Sequence, residues 1–391
     1  MAEINGSGTD ADRRLLAAAQ ARLPAMIADL EALVRCESPT SDPDRLRDSA
    51  DLVDRIGTRL LGRPAERIVV DGFPHLRWRL GSGGRPALLL GHHDTVWPVG
   101  TLARLPWRVE AGPDGRVARG PGCFDMKAGL VQLFHAVALL PEPAPVTIMI
   151  TADEETGSAT SRPLIEAAAR DAVAAFVLEA AGPGGAVKTA RRGVSNYRVE
   201  VAGRAAHAGL EPERGVNAGV ELARQLLRIV EFAEPSASVT PTVLSAGTTT
   251  NTVPAGAELM VDVRADDAAA QQRIHERFAA LTPVHPGATV RVHGGISRPP
   301  LARTMAAGWY DTARELAGRL GLPPLAEVAV GGGSDGNFTA AVGTPTLDGL
   351  GAVGGGAHAD DEHVLLDQLA PRTALLAGLI LAAGRPAQSA S

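Results

Sequence analysis

Five segments of this chain place imidazoles and carboxylates where they could hold metal ions and move a proton. GHHDTV carries His92 and Asp94, GPGCFDMKAG carries Asp125, and TADEETG carries Asp153, Glu154 and Glu155. FVLEAA carries Glu179, and GGGAHADDEH carries His358. Two histidines with three or four carboxylates suit paired Zn2+, with Mn2+ or Co2+ as substitutes. A carboxylate shared by two ions offsets their mutual repulsion, and such a pair activates water while polarising a carbonyl. The only cysteines, Cys36 and Cys123, are too few for a disulfide scaffold or a cysteine-built zinc module.

Such residues need elements to position them. PALLL at 86–90 runs directly into GHHDTV, VTIMI at 146–150 into TADEETG, and AAFVL at 174–178 into Glu179. Each apolar run is short and continuous, as in a strand buried on both faces. Strand-like segments also occur at 67–70 and 75–80, and helical spacing covers 10–36, 43–62, 126–140 and 160–170. Strands alternating with helices predict a three-layer α/β domain with a largely parallel sheet. Open sheets of that kind bind ligands outside the carboxyl ends of their strands, so three strands deliver acids and an imidazole to one rim.

The rhythm changes near residue 193. A strand at 194–202, a helix at 215–233, strands at 239–249 and 256–264, a helix at 267–281 and a strand at 288–294 follow one another. That βαββαβ order is the split ferredoxin-like α+β unit. The α/β pattern resumes with a helix at 303–320, strands at 326–330 and 344–348, and a helix at 364–383. The expected organisation is a discontinuous main domain at 1–192 and 298–391, interrupted by a smaller insert at 193–297.

Composition sets outer bounds. With 391 residues, 45% of them hydrophobic, the chain can bury one large core and a smaller one. A net charge of −6 offers no broad basic footprint for nucleic acid. The opening MAEINGSGTDADRRLL lacks the apolar core of a signal peptide. The longest apolar run, 364–384, is interrupted by Asp367, Gln368, Pro371 and Arg372, so no membrane span is expected. The expected location is the cytoplasm.

Taken together with GRAAHAG, NTVPAGAELMVDVRAD and GGGSDG, these motifs resemble the di-zinc metallopeptidase family that includes glutamate carboxypeptidase, aminoacylase and succinyl-diaminopimelate desuccinylase. The likeness runs over about residues 80–365 and is strongest to the glutamate carboxypeptidase branch. It implies that His92, Asp125 and Glu179 hold one zinc ion, and that Asp125, Glu155 and His358 hold the other. Asp94 would orient the His92 ring, fixing its tautomer. Glu154 would be the general base that takes a proton from a metal-activated water and passes it to the leaving nitrogen. The resemblance also implies a cis peptide at Asp125–Met126.

In the insert, His207 resembles a histidine that reaches a neighbouring subunit's site and stabilises the oxyanion, which requires a homodimer. Asn251 and Arg264 resemble residues that hold the substrate's carbonyl or carboxylate, and Arg298 is a further candidate, since an Arg fork donates two parallel hydrogen bonds to a carboxylate. The insert would then be a lid and dimerisation domain with hinges near 191–193 and 295–299. The chain departs from the branch at Met126 and in the AAGPGG run after Glu179. Both departures touch the wall of the site, and neither removes a ligand.

The implied activity is removal of a C-terminal amino acid, with glutamate favoured, from a small N-acyl or peptidyl conjugate. An aminoacylase or dipeptidase acting on another amino acid uses the same chemistry. Two readings from other classes stand beside it. GGSDG satisfies G-x-S-x-G at Ser334, with Asp348 and His358 following in the order of a serine hydrolase. A non-catalytic metal-binding descendant of the fold would have lost a ligand or the base. His93, His363 and Cys123 are expected to pack or to lie at the surface rather than to bind metal, His93 because successive strand residues face opposite ways.

Overall fold

The computed structural model describes residues 9–113, 115–141 and 144–385; the polar start of the chain at 1–8 lies outside them. The chain divides into two compact units. One has the bounds Met1–Ala190, Arg303–Ala329 and Ser334–Ser391, and the other Arg191–Ala302 with Val330–Gly333.

The larger unit is built on a six-stranded sheet. Its order is Glu66–Val70, Phe73–Leu80, Val146–Thr151, Ala87–His92, Ala174–Val177 and Thr346–Leu347. The last four run parallel, whereas Phe73–Leu80 is antiparallel to both its neighbours. Every residue of the three strands that precede the acidic motifs is buried. Alternate side chains enter two separate cores, as the two-residue repeat of a strand requires. Leu89, Ile148 and Phe176 pack with Leu30, Phe134 and Ile380, while Leu88, Met149 and Val177 pack with Ile165, Ala169 and Phe338. The sheet therefore lies between two helical layers, an α/β architecture.

Three elements differ from the sequence expectation. The helical spacing at 10–36 resolves into two helices, Asp10–Ala21 and Leu23–Arg35, because Pro24 lies in the first turn of the second and cannot continue the first. The stretch 364–383 begins as the strand His363–Leu365, and its helix starts only at Leu369. The helix expected from 126 starts only at Ala128 and ends at Val137, because Cys123–Lys127 form a wide turn in which Asp125 and Met126 leave helical geometry; the Asp125–Met126 peptide within it is cis, as the family resemblance implies. The helix-bearing span Leu366–Ala383 is long and apolar enough to cross a membrane, and 72% of it is buried within the unit.

A second sheet has no counterpart in the sequence expectation. It is antiparallel, in the order Gly354–Gly355, His363–Leu365, Gly115–Arg119 and Arg108–Gly112. Its strands are short and polar, so neither alternation nor an apolar run marks them. Pairing of His363 with Arg119 sets the loop bearing His358 beside the loop bearing Asp125.

One glycine governs how closely the helix Ala128–Val137 approaches the strand end that carries Glu179. A Cβ at Gly129 would lie 2.1 Å from the Leu178 carbonyl oxygen, which is backbone and cannot rotate away. Gly129→Ala is expected to destabilise the protein by roughly 1–3 kcal/mol through overpacking. The check is a urea titration, in which the midpoint falls while the slope stays unchanged.

The smaller unit holds a four-stranded antiparallel sheet in the order Ala237–Ala246, Gly256–Ala265, Gly193–Ala202 and Thr289–Arg298. Helices Ala218–Val230 and Ala268–Ala279 contribute Leu222, Ile229, Ile274 and Phe278 to a core against Tyr197, Val199, Leu259, Val261 and Val263. The Tyr197 and Phe278 rings stack at 3.8 Å. It is a smaller, β-rich unit with its own core.

Candidate metal centre

The parallel strands Ala87–His92, Val146–Thr151 and Ala174–Val177 lie side by side, with His92 paired to Thr151 and Leu90 to Val177. Their carboxyl ends therefore open on one edge. His92 ends the first strand, Glu154 and Glu155 follow the second in a tight turn, and Glu179 follows the third. The loops carrying Asp125 and His358 close on the same edge.

Asp125 lies between the two imidazoles. Its Oδ1 is 3.4 Å from His92 Nε2 and its Oδ2 is 3.3 Å from His358 Nε2. His92 Nε2 also approaches Glu179 Oε1 at 3.6 Å, and His358 Nε2 approaches Glu155 Oε2 at 3.3 Å. Two groups have all their donor atoms within 4.8 Å of one another: His92 with Glu154 and Glu179, and His92 with Asp125 and Glu155.

Several of these atoms are buried without a hydrogen-bond partner: His92 Nε2, Asp125 Oδ1 and Glu155 Oε1. A buried polar atom left in that state costs about 1–3 kcal/mol. Cations in the space these atoms face would satisfy them, and the residues present therefore fit a pair of divalent ions. The electrostatics agree. Burial opposes charge on His92, but the carboxylates of Asp125, Asp94 and Glu179 outweigh it and raise its pKa well above the usual value. Asp125 and Glu155 push the His358 ring up to about 10. Burial disfavours ionised Asp125, yet His358 and His92 hold it below the usual carboxylate range. Burial raises Glu155. The site is thus an excess of carboxylate that calls for positive charge.

Asp94 ties these parts together. It is fully buried, and its Oδ1 lies 3.3 Å from His92 Nδ1, with its backbone carbonyl 3.0 Å from the same nitrogen. The carboxylate accepts from the Glu154 and Glu155 backbone N–H groups at 3.3 and 3.2 Å and from Thr40 Oγ1 at 2.8 Å. The acid that sits behind His92 therefore also sets the turn that presents Glu154 and Glu155. Asp335 steadies the same turn, accepting from Thr151 Oγ1 at 3.1 Å and from Ser158 Oγ. Nothing in the sequence assigns Thr40, or Asp335 of GGGSDG, to this turn, since each lies far along the chain from the group it serves.

Other sequence candidates fall elsewhere. Ser334 is fully buried, and its Oγ donates to Asp348 at 2.5 Å and accepts from Gly336 N. His358 faces Asp125 and Glu155, so no serine–histidine pair exists there and the serine-hydrolase reading fails. His93 is buried on Ser49 Oγ and the Pro74 carbonyl. Cys123 is buried in the core. In the smaller unit, the His207 position bridges Thr252, and Ala208 N donates to the Asn251 carbonyl, so His207 and Asn251 are neighbours. Gly209 N–H donates to His207 Nδ1, which leaves the ring hydrogen on Nε2. Arg264 and Arg298 flank Val194 on adjacent strands. Arg264 is bidentate to Asp262 at 2.8 and 2.9 Å, and Arg298 is buried, with its carbonyl accepting from Gln271.

A model of the family described as peptidase family M20/M25/M40 matches residues 88–382, a span that starts in the first site strand and ends beyond His358. The chain belongs to that family. Carboxypeptidase G2 of Pseudomonas sp. (strain RS-16) is 32% identical, over 95% of this chain and 92% of that protein. A succinyl-diaminopimelate desuccinylase of Gluconacetobacter diazotrophicus is 30% identical, over 78% of this chain and 83% of that protein. Among solved structures, aminopeptidase PepT of Bacillus cereus shares the fold, with a TM-score of 0.69 over 93% of this chain and 99% of that one at 21% identity. Family membership and the His/Asp/Glu cluster together make this chain a metal-dependent hydrolase.

Proposed function

We propose that the protein is a homodimeric di-zinc amide hydrolase that removes a C-terminal amino acid, glutamate favoured, from an N-acyl or peptidyl conjugate. The observation that carries this reading is Asp125 set between His92 and His358, one oxygen toward each, with Glu154 beside them. His92, Asp125 and Glu179 would hold one ion and His358, Asp125 and Glu155 the other. Two Zn2+ ions would supply Lewis acidity that polarises the scissile carbonyl and lowers the pKa of the attacking water. Glu154 then takes the proton from that water and delivers it to the leaving nitrogen. Asp94 holds the His92 ring and, through two backbone N–H groups, the turn that aims Glu154.

The smaller unit is proposed as a ferredoxin-like lid, which its strand and helix order supports. His207 Nε2–H would donate to the developing oxyanion, Asn251 to the substrate carbonyl, and Arg264 or Arg298 to its free carboxylate. Arg264 lies at one end of the ten-residue strand Gly256–Ala265, and Asn251 lies beyond the other. At ~3.3 Å per residue the two are about 30 Å apart, more than one small substrate spans. If both touch substrate they come from two subunits, which favours the dimer. The edge strand Ala237–Ala246 exposes Val243 and Leu244, and its outer side has no partner strand among the described residues. The names of the relatives, a carboxypeptidase and a desuccinylase, support amide hydrolysis beside a free carboxylate.

The test is release of free amino acids from a panel of N-acyl amino acids and dipeptides, N-acyl-glutamates and a folate-like conjugate included. Each is assayed with and without chelator and with zinc added back. Chelator-sensitive release from glutamate conjugates is the expected outcome. Release from other conjugates alone would keep the reaction and discard glutamate, and chelator-insensitive release would discard the metal mechanism.

A further inference from the structure

Glu362 lies four residues past His358, is 3% exposed, and plays no part in the chemistry described above. Its Oε1 accepts from the backbone N–H groups of Phe124 at 2.9 Å and Asp125 at 3.0 Å. Its Oε2 accepts from Gly122 N–H at 2.7 Å and from Trp97 Nε1–H at 2.8 Å. None of the four donors is a charged side chain. A buried carboxylate is tolerable only when its lone pairs are met, and here three of the four donors come from one short loop. That loop carries Asp125 and has left regular structure, with Gly122 at a φ of 71° and Asp125 outside helical geometry. Its N–H groups would otherwise be buried donors with nothing to bind. Glu362 belongs to the neighbouring ligand loop, where its own N–H donates to the Ala359 carbonyl at 3.0 Å. One side chain therefore ties the Asp125 loop to the His358 loop.

We infer that Glu362 is a positioning residue for metal binding, holding the Gly122–Asp125 backbone so that the Asp125 carboxylate faces both His92 and His358. This rests on the proposed metal role of Asp125. Both Glu362 oxygens are taken up by those four donors, so it acts through the loop: three backbone N–H groups converge on it while the Asp125 carboxylate faces His92 and His358. Outer partners of this kind typically contribute 10–100-fold to metal affinity. In Glu362→Gln one acceptor becomes an NH2 group facing N–H donors, so two of the four hydrogen bonds are lost at constant shape.

The measurement is zinc affinity and stoichiometry of the full chain by competition with a chromophoric chelator, well below the melting temperature. Glu362→Gln is expected to raise the zinc Kd by roughly 10–100-fold. Trp97→Phe removes the one donor outside the loop, and its Kd is expected to stay near that of the unaltered chain even where its melting temperature falls. Glu362→Asp keeps the charge with shorter reach, and an intermediate Kd is expected; it is the variant to use if Glu362→Gln does not fold. A Glu362→Gln protein with unaltered Kd and stoichiometry would overturn the positioning role, as would an equal rise in Trp97→Phe. Absence of zinc binding by the unaltered chain would instead overturn the metal reading itself, and the positioning role with it.

Discussion

Glu154→Ala is expected to lower kcat by roughly 10²–10⁴-fold, the range that a positioned acid–base group contributes, while the metal content stays unchanged. Glu154 leaves the end of Val146–Thr151 in a short turn, and its backbone N–H is anchored on Asp94 Oδ1. Removing its side chain leaves that anchor, the Glu155 carboxylate and the His92 ring in place. What goes is the group proposed to accept a proton from water and return it to the leaving nitrogen. The same carboxylate lies within 4.8 Å of donor atoms of His92 and Glu179, a distance at which it could itself hold an ion. Metal analysis after gel filtration separates the two roles. Turnover lost with metal retained identifies a base, and turnover lost together with metal identifies a ligand. Full activity in the variant would remove Glu154 from the mechanism.

Asp125→Asn is expected to have the larger effect on binding, abolishing detectable turnover and raising the metal Kd by more than the ~100-fold upper range for outer partners. The substitution keeps the shape and removes the charge. Oδ1 faces His92 and Oδ2 faces His358, so an amide must turn its NH2 group toward one of the two imidazoles. Both ions should weaken together. Loss of one equivalent with the second bound at unaltered affinity would show that Asp125 serves a single ion, contrary to the proposed bridge. Substitution of His358 is the natural comparison, because it meets Asp125 through Oδ2 alone, on the side of Glu155.

Much of this site was legible in the chain because of where strands end. A run such as PALLL or VTIMI must be buried on both faces, and the polar residues directly after it must emerge at the sheet edge. Strand ends of this kind place His92, Asp94, Glu154, Glu155 and Glu179 at one edge from the sequence alone. Helical spacing over 10–36 runs through the break before Pro24, because apolar periodicity alone does not weigh a proline in a first turn. The apolar spacing at 364–383 likewise runs past the true helix start at Leu369. His363–Leu365 carries too few residues to show a strand period, and it becomes a strand only by pairing with Gly115–Arg119.

The identity of the donor groups, their order along the chain and the α/β rhythm that exposes them are local properties, and the sequence by itself determined them. The family resemblance implies that Asp125 is shared between His92 and His358; only the tertiary structure sets one of its oxygens toward each, braces the turn beneath Glu154 with Thr40 and Asp335, and spends Ser334 on Asp348. It also decided that Glu362 gathers the Asp125 loop. Each of these depends on a hydrogen bond or strand pair between residues distant in sequence. Such contacts leave no period or motif, because their geometry exists only once the cores on both sides of the sheet have closed.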